Sequence, residues 1–262
     1  SGIPKILQTE MWHFQNINLG YYRPLSTITF AVETQFFGIN PHVYHVGNII
    51  LYGLTGFFLC LFLMNLFKNF HPVFSFIITL LFIAHPIHTE VTANIKSRDE
   101  ILSFLNLILA YYFLLKGYAN KIRSTKYMIL SCVFFYLALL SKETATTGLL
   151  IVPLILFFGN NIPIKESLIR SIPFLLVMFL FQYQKYLVLG TLATDVPKDL
   201  VNYPYAEANA ELSSAFLIFL WCVKLALLPH PLSYDYSFNQ IPAATFSSPM
   251  VWMGIIIAIS FE

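Results

Sequence analysis

The chain has 262 residues, 57% of them hydrophobic and 11% charged, with a formal net charge of +2 and a mean hydropathy of +0.69. Soluble domains carry about 25% charged residues, so the composition excludes a globule wetted on all sides, and the small net charge argues against a nucleic-acid partner. It fits an all-α, polytopic bundle of membrane helices with a lipid-facing surface, and the 26 Phe and 15 Tyr suit its core and the bilayer interfaces.

In chain order, residues 1–44 read as an external loop with juxtamembrane segments. Apolar runs follow at about 46–67, 73–88, 101–117, 127–141, 144–159, 168–190, 212–228 and 249–261. A hydrocarbon core of about 30 Å takes roughly 17 to 25 helical residues. The pattern predicts about seven spanning helices plus one re-entrant or interfacial helix. The fourth and fifth runs are short and flank Ser141-Lys142-Glu143, which reads as a hairpin tip. The run 212–228 is taken as the re-entrant one, inside an external segment 191–248. Lys224 would lie deep in a span, and residues 229–248 hold no Lys or Arg to mark a cytoplasmic loop. Cys60, Cys132 and Cys222 lie in apolar runs and imply no disulfide framework. The whole reads as a single membrane-embedded domain, 1–262. It starts without Met and stops shortly into an apolar run, as a piece of a longer protein does.

Lys and Arg in short loops set orientation. Lys68, Lys116, Lys121, Arg123, Lys126, Lys165 and Arg170 mark one side as cytoplasmic. The opposite side receives 1–44, 89–100, 141–144 and 191–211, and with them the polar motifs. Ionisable residues inside or lining a membrane are costly and mark function by default.

Each motif has a plain alternative. His85, His88 and Glu90 could pack and cap a helix end or line a polar cavity. They lack the spacing of a zinc motif, so no metal is assigned, and a divalent cation is left open as a cofactor. Ser97, Asp99 and Glu100 suit the start of a helix, with Glu100 closing a capping box. That leaves Arg98 unexplained, and a guanidinium beside a helix N-terminus suits phosphate. Lys142-Glu143 is either a solvated turn or a base aimed at an anionic head group. Tyr22 and Arg23 could be an interfacial anchor, and Tyr234, Asp235 and Tyr236 a surface turn. Together they offer bases for a phosphate, acids for a hydroxyl proton and aromatic platforms for a sugar.

The motifs YYRPLSTITF (21–30), GINPHVYHVGNIILY (38–52), HPIHTEVTANIKSRDEIL (85–102), LLSKETATT (139–147) and LLPHPLSYDYSFNQIP (227–242) occur in one order. In that order the chain resembles the transmembrane-and-TPR (TMTC-like) O-mannosyltransferase family and its bacterial relatives, which are C-type (GT-C) glycosyltransferases. The resemblance implies a polyprenyl-phosphate-linked sugar as donor, a protein or glycan hydroxyl as acceptor, and inversion at a periplasmic or lumenal face. It implies donor-phosphate contacts from Arg98, Lys142 and Arg23. Glu90, Glu100, Asp99, Glu143, His85, His88, Tyr22, Tyr234, Asp235 and Tyr236 would support them or meet substrate. The family's general base follows its first transmembrane helix, upstream of the YRP motif. Both are expected to precede Ser1, and TPR repeats to follow the chain. Glu10 is the only acid ahead of the YRP motif and is not assigned the role. The short loops favour a bacterial inner membrane over an endoplasmic reticulum. A flippase or transporter for a lipid-linked solute, and a membrane scaffold, are the rival readings.

Overall fold

A computed structural model describes residues 2–11, 20–118, 124–190, 211–233, 241 and 243–260. They fall into two compact units, residues 1–195 and 196–262. The described residues are helical, with no strand among them.

In the first unit α1 is Ile3–Ile6, α2 Pro24–Phe37, α3 Pro41–Leu66, α4 Pro72–Ile83, α5 Thr89–Ala93, α6 Arg98–Tyr118, α7 Thr125–Ser141, α8 Gly148–Asn160, α9 Ile164–Arg170 and α10 Ile172–Leu189. Several start on the same device. Proline opens α2, α3 and α4, where its fixed φ suits the first turn and its missing N–H costs nothing. Before α3 and α4 the preceding residue also caps the turn. Asn40 Oδ1 accepts from His42 N–H at 3.0 Å, and His71 Nδ1 from Val73 N–H at 3.3 Å. His85-Pro86 repeats the arrangement at a 3₁₀ turn, where His85 Nδ1 accepts from Ile87 N–H at 3.3 Å.

Helix α6 is the axis of this unit, packed against α3, α7 and α8. Its Ile108, Ala110 and Leu114 are buried, and Ser131 Oγ of α7 donates to Ala110 O at 2.6 Å. The outward faces are apolar too, with Phe57, Phe76, Leu81, Leu150 and Phe158 exposed. Contiguous exposed apolar surface of this kind calls for lipid around it.

Three helical stretches are long and apolar enough to cross a membrane: Pro41–Leu66, Ile95–Tyr118 and Glu143–Asn160. A fourth arises if Pro72–Ile83 and Pro86–Ala93, bent by 52° at the break, form one broken span. The apolar run at 73–88 is therefore not one straight helix. Pro86 has no N–H to continue α4, and Tyr52 Oη of α3 donates to Ile83 O at 3.0 Å, covering one of the released carbonyls. At 141–143, where a hairpin tip is expected, α7 ends at Ser141 and a 3₁₀ turn over Glu143–Thr147 leads into α8, with both helices packed against α6.

In the second unit α11 (Glu211–Leu227) packs against α12 (Pro249–Ser260). They touch closely at Gly254, where a Cβ would lie 2.2 Å from Phe216 O. Ser214 Oγ accepts from Ala244 N–H at 3.0 Å, tying the segment before α12 to the start of α11.

Candidate functional site

The charged motifs converge where α6 begins. Arg98, its first residue, is fully buried. Its Nη1 donates to Glu33 Oε2 at 2.7 Å and to Thr29 Oγ1 at 3.4 Å, Nε to Asn48 Oδ1 at 2.7 Å, and Nη2 to Tyr44 O at 2.7 Å. The guanidinium lies 4.1 Å from the ring centroid of Phe30. Asn48 in turn donates to Asn94 O and Ile95 O, each at 3.3 Å. One side chain thus fastens α2, α3 and the segment leading into α6. The fit is tight: a Cβ at Gly47 would lie 2.5 Å from Glu33 Oε1 and 2.7 Å from Arg98 Nη2. This is why a glycine stands inside α3 there.

The next residues of α6 turn to a second group of charges. Arg23 Nη1 donates to Asp99 Oδ2 at 2.6 Å, and Nε to Glu143 Oε2 at 2.9 Å. Its guanidinium also covers the Tyr21 ring at 4.6 Å. Burial works against the Arg23 charge, but Glu143 and Asp99 outweigh it and hold the pKa above its usual value. Asp99 Oδ1 accepts from Glu100 N–H at 2.9 Å, as an acid in a first helical turn should. Glu100 does not close a capping box. Its carboxylate pairs with Lys142 Nζ, where a full counter-charge is available. Glu143 Oε1 is buried and has no hydrogen-bond partner among the described residues.

Tyr22 is also fully buried. Its hydroxyl donates to Leu7 O at 2.8 Å and accepts from Gln184 Nε2 of α10 at 2.7 Å, while Gln184 Oε1 accepts from Tyr136 Oη. Burial, with Tyr136 alongside and Gln184 partly offsetting it, pushes the Tyr22 phenol up to about 12, so it stays a donor throughout the physiological range.

His88 and Glu100 line a cleft of about 290 Å³ with Tyr52, Thr55, Phe82 and Phe104. His88 lies 4.4 Å from Phe82 between ring centroids and serves as wall, while His85 is a cap. Glu90 is exposed on α5. No group of three His, Cys, Asp or Glu able to hold a metal occurs among the described residues. Tyr234, Asp235 and Tyr236 lie outside the described residues.

The sequence reading did not single out Glu33, Asn48, Gly47 or Gln184. One signal was available. Glu33 is the only charge in PLSTITFAVETQFF, and Asn48 is an isolated amide in an apolar helix, both in positions that demand a partner.

The chain was compared with known proteins. No family model and no solved structure matches it. A protein O-mannosyl-transferase of Caenorhabditis elegans is 27% identical over 256 residues, covering 92% of this chain and 35% of that protein. The protein O-mannosyl-transferase TMTC1 of Homo sapiens is 34% identical over 146 residues, covering 51% of this chain and 16% of that protein. TMTC2 of Homo sapiens is 27% identical over 241 residues, covering 84% of this chain and 28% of that protein. The chain therefore spans a third or less of two of these relatives and just over a third of the other. Over most of its length the chain is thus similar to protein O-mannosyl-transferases of the TMTC type.

Proposed function

We propose that this chain forms part of a membrane glycosyltransferase that moves a mannose-like sugar from a polyprenyl phosphate to a hydroxyl of a protein or glycan, with inversion. One observation carries the reading. Four motifs that bear the family resemblance, far apart in sequence, supply all but Glu33 of one ionic network at the start of α6: Arg23, then Gly47 and Asn48, then Arg98, Asp99 and Glu100, then Lys142 and Glu143.

Burial divides the roles. Arg98 has no exposed surface and bonds four protein groups, so in this reading it positions the others. Lys142 keeps 17% of its side chain exposed and its partner Glu100 keeps 44%, which makes this pair the easiest to open to a phosphate. Arg23 is the second phosphate contact. In the step itself, the acceptor hydroxyl gives its proton to the general base that the family resemblance implies ahead of the YRP motif, and its oxygen attacks the anomeric carbon as the bond from that carbon to the phosphate oxygen breaks. The lipid phosphate leaves with the electron pair, and Lys142 and Arg23 stabilise the charge that builds on it. The free Oε1 of Glu143 accepts a hydrogen bond from a hydroxyl of sugar or acceptor. The apolar cleft beside Glu100 holds the first isoprenoid units.

The proposed frame is a GT-C bundle of about seven spans, with α7, α10 and α12 added to the long helices and α11 re-entrant. Positive charge supports an outward-facing site. Lys116 lies at the far end of α6 from the cluster, Lys126 at the far end of α7, and Lys165 and Arg170 on α9 after the far end of α8. The membrane is a bacterial inner membrane or an endoplasmic reticulum. A flippase would carry its charges near mid-bilayer on interrupted helices, whereas these cluster where α2 and α6 begin and α7 ends.

The test uses membranes holding the full-length parent, labelled polyprenyl-phosphate mannose and peptide or glycan acceptors. Transfer that falls steeply in Lys142→Met supports the reading. No transfer from any polyprenyl-phosphate sugar, or unchanged transfer in Lys142→Met, overturns it.

A further inference from the structure

A groove of about 380 Å³ lies between α7 and α10, lined by Met128, Ile129, Val133 and Tyr136 from the first and by Val177 and Leu180 from the second. Its walls are apolar. The Tyr136 hydroxyl already donates to Gln184 Oε1. Thr125, the first residue of α7, carries the other hydroxyl on the lining and stands at one end. A sugar, a phosphate or a peptide would give up water here with little to bond in return, whereas a hydrocarbon chain would not. The rim residues Ile129, Val133 and Leu180 are exposed, so the groove is continuous with the outward apolar faces that call for lipid.

Its length and its two ends say which chain fits. From Thr125 to Tyr136 the groove follows α7 for about 16 Å, at 1.5 Å per residue. The hydrocarbon of a single leaflet is about 15 Å deep, half of the bilayer core. The Thr125 end is basic. Lys126 is exposed there and has no ion pair among the described residues. Arg170 reaches the same end. Its guanidinium lies 4.7 Å from the ring centroid of Tyr118, and Ser124 N–H donates to the carbonyl of the adjoining Gly117 at 3.0 Å. Glu166 pairs with Arg170 and offsets its charge, so the net positive charge at this end is that of Lys126. The Tyr136 end points along α7 toward Ser141 and Lys142, where the ionic network lies.

We propose that this groove seats an acyl chain of an anionic phospholipid from the cytoplasmic leaflet, with the head-group phosphate at Lys126 and Arg170. The proposal rests on the spanning frame proposed above, in which α7 and α10 cross the membrane and these bases face the cytoplasm. The groove's basic end is the end of α7 away from Lys142. An isoprenoid hung from a phosphate at Lys142 would enter from the Tyr136 end and leave Lys126 unused, so the charge favours a phospholipid over the donor's own tail. The chain's far end would rest on Tyr136, which Gln184 links to the Tyr22 hydroxyl beside Arg23.

The test uses the full-length parent in phosphatidylcholine vesicles. Phosphatidylglycerol with a photoreactive group midway along an acyl chain is added, and cross-linked peptides are mapped by mass spectrometry. The expected result is labelling at Ile129, Val133, Val177 and Leu180 above that at Leu150 and Phe158, which are exposed on α8 away from the groove. Val177→Trp fills the groove and should remove that excess while α8 stays labelled. Lys126→Met, at an exposed position, decides the case even where Val177→Trp fails to fold. It should cut the groove's preference for phosphatidylglycerol over phosphatidylcholine bearing the same group about fivefold. Equal labelling of groove and α8, or an unchanged preference in Lys126→Met, overturns the proposal. So does a groove cross-linked to a second copy or to another segment of the chain, or one labelled by photoreactive polyprenyl phosphate instead. Sugar transfer by a parent whose groove is unlabelled overturns this proposal and leaves the proposed function standing, and a labelled groove without transfer does the reverse. If neither α7 nor α10 is labelled anywhere, the spanning frame falls with it.

Discussion

Replacing Arg98 with methionine tests the central claim about the cluster. The side chain fits the space in length but donates nothing. Asn48 Oδ1 and Tyr44 O each lose a bond of 2.7 Å, and Glu33, 21% exposed, loses its counter-charge. Removing one partner of a buried ion pair costs about 3–5 kcal/mol. The partial exposure of Glu33 lets water recover some of this, which favours the lower half of that range. Even about 3 kcal/mol changes the unfolding equilibrium roughly 100-fold. Denaturant unfolding in detergent, followed by helical circular dichroism, would measure it. Adding Glu33→Gln to make a double-mutant cycle isolates the pair, and a coupling of about 1–3 kcal/mol is expected for groups in one network. Arg98→Met within about 1 kcal/mol of native stability, or additivity in the cycle, would refute the claim that Arg98 fastens α2 and α3 to α6. Arg98→Lys should also fail, because an ammonium cannot make the planar fork that reaches Glu33, Asn48 and Tyr44 together.

Gly47→Ala should destabilise by about 1–3 kcal/mol, since the new Cβ meets Glu33 and Arg98 below 3 Å, and native stability in chemical denaturation would show that the close approach is wrong. Lys142→Met should separate activity from stability. Its partly exposed pair with Glu100 is worth about 0–1 kcal/mol, so sugar transfer should collapse while the unfolding midpoint moves little. Gln184→Leu withdraws bonds from two tyrosine hydroxyls and should cost about 1–3 kcal/mol, read from the same unfolding curves. For Tyr22, the fold favours the neutral phenol. Its stabilising contribution is full below the ordinary tyrosine pKa and is lost as pH rises through about 12. An ultraviolet difference titration of native against Tyr22→Phe should show one tyrosine ionising near 12, and an ordinary value would contradict its burial.

The sequence made helices, their starts and the motif order legible, because proline, asparagine and histidine before apolar runs act locally. Pro41, Pro72 and Pro86 each sit where a helical turn begins. What it could not supply was the pairing. Arg98 reads as a base at a helix start, where water is usual. It is buried because α2, inside what composition marks as an external loop, brings Thr29, Phe30 and Glu33 over it. Glu33 and Asn48 carried a signal, as lone polar residues in apolar helices, but nothing local says that both answer to a residue fifty or more positions away. The burial of Lys185 was hidden for the opposite reason. QYQK looks like the wet end of a helix, and only the packing of Phe181 against Tyr22 shows that this stripe turns inward.

The break between α4 and α5 has a geometric consequence. The eight residues from Pro86 to Ala93 would extend a straight helix by about 12 Å at 1.5 Å per residue. Turned through 52°, their far end is carried sideways by about 9 Å, close to the 8–10 Å spacing at which two helices pack. The displacement therefore opens a gap about one helix wide, and Tyr52, Phe82 and His88 border it. One proline and one tyrosine hydroxyl exchange a turn of regular backbone for a slot in the bundle.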